Sequence, residues 1–254
     1  MSEHSLLRQS RRITRQFLDI VFPPRCAGCQ SSGAVLCATC HATFRAAKQQ
    51  VCRQCGRALP VTGLCQHCRP YQPGLSGLLA VSSYQGALRS CIHALKYDGN
   101  TRLAEPLGKV LAEAYLAFGM QADVIIPVPL HAERQQQRGY NHAQLLAAVC
   151  ASHIHVPLRD DIVVRHRATT AQVGLKAHER QQNVAGAFVC THAFKSGPLY
   201  GRTLLIIDDV YTTGATLGAL CRTTIYRRSK SSLGPRACTT NLIVPGKSPL
   251  RVLQ

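Results

Sequence analysis

Eight of the 13 cysteines fall between positions 26 and 68, as four Cys-x-x-Cys pairs: Cys26/Cys29, Cys37/Cys40, Cys52/Cys55 and Cys65/Cys68. Each pair can present two thiolates to one metal through a tight knuckle, and two knuckles complete a tetrahedral site. The pairs are separated by 7, 11 and 9 residues. The simplest pairing puts one Zn²⁺ on Cys26, Cys29, Cys37 and Cys40, and a second on Cys52, Cys55, Cys65 and Cys68. An interleaved pairing satisfies the same count, as does His41 or His67 replacing one thiolate. A disulfide framework is the competing use of these cysteines, but residues 1–22 do not read as a secretory leader. Their apolar run, Phe17–Phe22, is short and broken by Asp19. Arg8, Arg11, Arg12 and Arg15 would also suit a transit peptide. Leu6, Leu7, Ile13, Phe17 and Leu18 near one face favour a short N-terminal helix over 1–22 instead. A cytoplasmic location is expected. Residues 23–70 hold too few large apolar side chains for a core of their own, so metal binding must supply the folding free energy. Four thiolates per ion leave no open coordination position, and the module is expected to be structural.

Charge divides the chain into three. Of the 30 basic and 12 acidic residues that give +18 overall, residues 1–70 hold ten and two, residues 71–209 hold 13 and ten, and residues 210–254 hold seven and none. Two basic ends around a balanced centre attract phosphate backbones and other polyanions. Phe22, Phe44 and Tyr71 are the only aromatic residues between 21 and 71, which favours salt-sensitive backbone contact over base readout. The 46% of hydrophobic residues can bury a real core. No apolar run approaches the ~18 residues of an ordinary membrane-spanning helix.

After the turn-forming linker Arg69–Gly74, strands and helices alternate. Leu75–Tyr84 reads as a strand, Gly86–Lys96 as a helix, and Thr101–Phe118 as a second helix with Thr101 as its N-cap. Asp123–Pro127 is a short apolar strand, followed by a polar loop and a helix over Asn141–Ser152. Ile162–Arg167, Ala187–Cys190 and Thr203–Asp209 read as further strands. The pattern predicts an α/β fold with a parallel sheet flanked by helices. Neither Gly-x-Gly-x-x-Gly nor Gly-x4-Gly-Lys-Ser/Thr occurs, so the common dinucleotide and P-loop sites lack support.

The strongest chemical signal is Leu204-Leu205-Ile206-Ile207-Asp208-Asp209-Val210-Tyr211-Thr212-Thr213-Gly214-Ala215-Thr216. An apolar strand ends in two carboxylates, and a Thr/Gly turn leads into a helix. Ligands bind at the carboxyl ends of strands in open α/β sheets. Backbone N–H groups, three hydroxyls and a helix N-terminus together favour a phosphate. The aspartates can accept hydrogen bonds from sugar hydroxyls or help hold a divalent cation.

This stretch resembles the phosphoribosyl-diphosphate (PRPP) binding motif of type I phosphoribosyltransferases. With four Cys-x-x-Cys knuckles before it, the chain resembles the ComF/GntX family of competence and DNA-utilisation proteins over roughly residues 20–221. Pro23-Pro24-Arg25-Cys26, Leu95-Lys96-Tyr97 with Gly99, Pro127-Val128-Pro129-Leu130 and Arg138-Gly139-Tyr140-Asn141 carry the resemblance. So do Arg165, Arg167, Thr170, Gln172, Leu175, Arg180, Asn183, Val184 and Phe188. It implies a double zinc ribbon over 23–70 and a type I phosphoribosyltransferase-like domain over 75–221. Thr212, Thr213, Gly214, Ala215 and Thr216 would cradle the 5-phosphate of PRPP, and Asp208 and Asp209 would contact its ribose. Arg138, Lys96 and Arg134 would offset diphosphate charge, with Mg²⁺ arriving on PRPP. Gln172 and Arg180 would belong to a mobile loop that closes over the site and excludes water.

Residues 222–254 depart from the family pattern as an atypical basic tail with no sustained helical periodicity and one strand candidate, Thr239–Val244. From the tail comes the expectation that the sheet lacks its last strand or borrows a weak substitute. Two functional readings follow. One is Mg-assisted phosphoribosyl transfer to an unidentified acceptor. The other is a non-catalytic single-stranded nucleic-acid binder that works with DNA-uptake or helicase machinery and takes PRPP as a regulatory ligand.

Overall fold

Short apolar strands buried on both faces need neighbours on both edges, and the sheet supplies them. The computed structural model describes residues 19, 22–44, 66, 75–169, 177–191, 202–210, 215–226 and 240–246. Strand β5 (Leu204–Ile207) pairs in parallel with β2 (Val124–Pro127), from Val124↔Leu204 to Pro127↔Ile207. Its other edge takes β6 (Thr240–Gly246), which in turn pairs in parallel with β1 (Leu75–Ser83). The order is β1-β6-β5-β2.

Successive side chains of β5 face opposite sides, as the period of a strand requires. Leu204 and Ile206 enter a core with Val124, Ile126, Phe188 and Leu220, the last on α7 (Ala215–Tyr226). Leu205 and Ile207 enter a second core with Ile125 and three helices: α2 (Gly86–Tyr97), α3 (Ala104–Ala117) and α5 (His142–Ile154). Each fully buried Leu or Ile contributes about 1.5–3 kcal/mol. Helices α3 and α5 approach so closely that a Cβ on Gly108 would lie 2.5 Å from Val149 Cβ.

The expected α/β architecture, a parallel sheet flanked by helices, is present, with four local differences. Strands β3 (Val163–Arg165) and β4 (Phe188–Cys190) form a separate antiparallel pair. A 3-10 turn over Thr101–Leu103 precedes α3, so Leu103 rather than Thr101 stands at its N-cap. The polar loop after β2 contains α4 (Ala132–Arg138), which buries none of its residues. Lacking an apolar face, it gave no periodic signal. The tail's strand candidate becomes β6, paired on both edges inside the sheet, so the sheet is not left without that strand.

The cysteine-rich segment docks on α2. Ala27, Val35, Leu36 and Phe44 pack against the core that holds Leu88, Cys91 and Ile92. At Gly28 an added Cβ would meet Ala87 Cβ at 2.7 Å and Cys40 Sγ at 2.8 Å, so only glycine fits between knuckle and helix. Among the described residues no helix is long and apolar enough to cross a membrane.

Candidate functional site

The first two knuckles converge. The Sγ atoms of Cys26, Cys29, Cys37 and Cys40 all lie within 4.8 Å of one another. Cys29 and Cys37 sulfurs are 3.6 Å apart, close to the roughly 3.8 Å edge of a tetrahedron with Zn–S bonds of ~2.3 Å. Backbone N–H groups of Gly28 and Cys37 donate to Cys26 Sγ, each at 3.4 Å, and Cys40 N–H donates to Cys37 Sγ at 3.4 Å. Burial works against ionising Cys26, but these backbone donors outweigh it and bring the thiol down to about 6. Cys40 moves the other way, raised by burial and by the neighbouring cysteines. Four thiolates this close repel unless a cation joins them, so the donor set fits a structural Zn²⁺. The short helix α1 (Ala38–Ala42) is N-capped by Cys37, which places Cys40 one turn later in the same cluster. Cys52, Cys55, Cys65 and Cys68 lie outside the described residues.

A second cluster forms where β2 and β5 end. The Val128 N–H donates to Ile207 C=O at 2.9 Å, continuing the ladder to the point where Asp208 and Asp209 leave it. The loop after β2 is tied down by Asn141, whose Nδ2 donates to Val128 C=O at 3.1 Å. Asn141 also caps α5, its Oδ1 accepting from Ala143 N–H at 3.0 Å. Just before it, Gly139 ends α4 at φ +81, a conformation that favours glycine, and its N–H bonds Gln135 C=O at 2.8 Å. This turn carries Arg138 and His142 to the carboxylates. Tyr140 donates its hydroxyl to Leu95 C=O at 2.5 Å, fastening the same turn to the end of α2, where Lys96 follows.

Asp209 is the hub. Lys96 Nζ forms an ion pair with its Oδ2, and His142 Nε2 lies 3.3 Å from its Oδ1. His142 Nδ1 in turn receives Arg138 Nη1 at 2.6 Å, and the Arg138 guanidinium sits 5.3 Å over the Tyr97 ring. Burial would raise Asp209, yet Lys96 and then His142 hold it well below the ordinary carboxylate range. Burial would lower Lys96, and Asp209 keeps it raised. Among the described residues Asp208 forms no ion pair as close, although the Lys96 charge acts on it as well. Burial and the adjacent Asp209 charge push it up to about 8, despite its own hydrogen bond from Asp209 N–H at 2.9 Å. One carboxylate is therefore held charged, and its neighbour is biased toward its neutral form. His142, Asp208 and Asp209 also stand close enough to share a cation.

The fold thus joins Lys96, Arg138, Asp208 and Asp209, all expected at the site. Ala215 and Thr216 open α7. Thr212, Thr213 and Gly214 lie outside the described residues, as do Gln172 and the side chain of Arg180, whose backbone is in α6 (Ala177–Val184). Arg134 donates to Thr169 C=O at 2.8 Å, and Arg165 donates to the Thr169 hydroxyl. His142 was missed. Its signal was its place immediately after Arg138-Gly139-Tyr140-Asn141, where a helix start at a strand's carboxyl end faces the site.

Known proteins resemble this chain in sequence. A family model described as a double zinc ribbon domain matches residues 17–69. The chain is 33% identical to DNA utilization protein YhgH of Shigella flexneri, over 74% of this chain and 82% of that protein. It is 29% identical to Competence protein F of Haemophilus influenzae, over 73% of this chain and 89% of that one. With Competence protein ComFC of Bacillus subtilis it shares 23% identity, over 78% and 81% respectively.

Proposed function

This chain belongs to the ComF/GntX family of competence and DNA-utilisation proteins, and from that premise we propose that it binds PRPP with its magnesium in the uptake or use of DNA. The carrying observation is the pair Asp208-Asp209 at the carboxyl end of a central parallel strand, with Lys96 and Arg138 gathered beside it. That pattern suits a ligand with sugar hydroxyls at one end and strongly anionic groups at the other. Asp208, raised to about 8, gains a favourable partner from a ribose hydroxyl or from the magnesium that PRPP carries. Lys96 has three N–H donors, and those beyond its bond to Asp209 can reach an oxyanion. The loop Thr212–Thr216, opening α7, supplies the 5-phosphate cradle of the same reading. In this reading the segment that runs from Gln172 to Arg180 on α6 closes over the ligand. This assigns the second unit a type I phosphoribosyltransferase-like fold.

Transfer from PRPP breaks the C1–O bond of the ribose, leaving an oxocarbenium-like centre and a departing diphosphate. Catalysis then rests on fixed charge: cations toward the diphosphate, carboxylates toward the ribose. The cysteine module holds shape, with Cys52, Cys55, Cys65 and Cys68 forming a second zinc site, and its basic surroundings contact single-stranded DNA. Incubation with labelled PRPP, Mg²⁺ and a panel of bases, amines and single-stranded DNA tests the assignment. Diphosphate release dependent on one acceptor establishes transfer. Binding without turnover makes PRPP a regulatory ligand, and no binding defeats the proposal.

A further inference from the structure

His142 is nearly fully buried, contacts two functional side chains, and is not among the residues that the PRPP reading assigned. Its hydrogen-bond roles follow from its partners. Arginine only donates, so Nδ1, 2.6 Å from Arg138 Nη1, must be the accepting nitrogen. The proton of a neutral ring then sits on Nε2, which faces Asp209 Oδ1 at 3.3 Å and donates to it. The imidazole thus bridges a guanidinium to a carboxylate, accepting on one side and donating on the other. The Asn141 cap fixes the start of the helix on which the ring is mounted. Lys96 occupies the remaining oxygen of Asp209.

We propose that His142 is a positioning residue that locks Asp209 and Arg138 into one relative geometry through an Nε2–H tautomer, so that the ribose-side carboxylate and the diphosphate-side cation act as a unit. Its consequence for ligand affinity rests on the PRPP reading; the bridge itself does not. Without the ring, Asp209 keeps Lys96 but loses its second tether. Among the described residues Arg138 then keeps its stacking on Tyr97, a contact that fixes its plane less tightly than a hydrogen bond at Nη1. Among the other side chains, glutamine alone reproduces the pattern closely. Its amide carries an acceptor oxygen and a donor nitrogen spaced much like the two ring nitrogens.

Two measurements test this on the full chain. Nitrogen-15 chemical shifts of the His142 ring, assigned by comparison with H142Q, identify the protonated nitrogen without any ligand. Protonation at Nε2 with a bare Nδ1 is expected; a proton on Nδ1 overturns the bridge. PRPP–Mg titrations then compare wild type, H142Q and H142A. H142A should weaken binding about 10- to 100-fold, the loss of a hydrogen bond to a charged group, and H142Q should recover most of it. Equal weakening in H142Q and H142A, with both folded by circular dichroism, overturns the positioning role, because a merely space-filling histidine predicts that result. Absence of PRPP binding in the wild type defeats the PRPP reading, and the ring tautomer still decides the bridge.

Discussion

The cysteine cluster and the carboxylate cluster face the same electrostatic problem and solve it differently. Each crowds anionic side chains into a small volume. Four sulfurs between Cys26 and Cys40 come together through backbone turns only 15 residues long, with N–H groups aimed at the sulfurs. Four sulfur ligands fill a tetrahedral shell, which suits an ion that stays. The carboxylate cluster draws Lys96, Arg138, His142, Asp208 and Asp209 from three separate parts of the chain. Its neighbours outweigh burial at Asp209 and fall short at Asp208. An anion cluster left half-compensated at a strand's end suits a ligand that comes and goes. Structure is held where compensation is complete, and binding is expected where it is not.

The sharpest way to break this contrast is the double variant D208N/D209N. It should weaken PRPP–Mg binding by ~100-fold or more, two ligand-facing carboxyl groups being lost, while leaving DNA binding and zinc content nearly intact. Calorimetric titration and metal analysis check this, and unchanged PRPP affinity would remove the assigned site. The reciprocal variant, C26S/C40S, should lose one zinc per chain. Because Ala27, Val35, Leu36 and Phe44 pack against the core that holds Leu88 and Cys91, it should also lower the Tm of the second unit by about 5 °C or more. A second unit that melts as before would show that the two regions are energetically independent.

Smaller effects refine the picture. G28A places a methyl against Ala87 and Cys40 and should cost about 1–3 kcal/mol by denaturant unfolding, without touching PRPP affinity directly. Asp208 makes the carboxylate region pH-sensitive in a defined direction. Its ordinary value of 3.8 rises to about 8 in the fold, so between those values the native state binds more protons than the unfolded chain. This contribution to stability is present at low pH and is lost as pH rises through about 8. Tm should therefore fall from pH 5 to pH 8, and D208N should flatten that slope and melt higher at pH 8. A slope that persists in D208N assigns the effect to another group. Smallest of all, R102A removes a half-exposed two-pronged ion pair with Asp19 and should cost no more than ~1 kcal/mol, shrinking further in high salt.

Several elements were legible because their signals are local. The apolar run Leu204–Ile207 ended at two acids, and the structure ends β5 there. Helices α2 and α5 carry apolar periodicity and lie within a residue or two of their expected bounds. Helix α4 escaped detection, as did the antiparallel pairing of the two expected strands β3 and β4, each for a physical reason. One has no buried face, and the other takes its direction from a partner more than 20 residues away. Lys96 was named from a short motif, but its ion pair with Asp209 depends on how α2 packs over the sheet.

From sequence alone came the chemistry available: eight thiolates in knuckles, two acids after a buried strand, and cations in short motifs. These follow from spacing along the chain, where a few bonds limit what neighbours can reach. Tertiary structure decided which groups meet. The parallel pairing of β2 with β5 sets the Asn141 turn beside Asp208 and Asp209. Packing of α2 then adds Lys96, and His142 falls between Arg138 and Asp209. Contacts across more than 60 residues depend on the packing of whole elements, so side-chain spacing in the sequence could not reveal that a histidine joins the two charges.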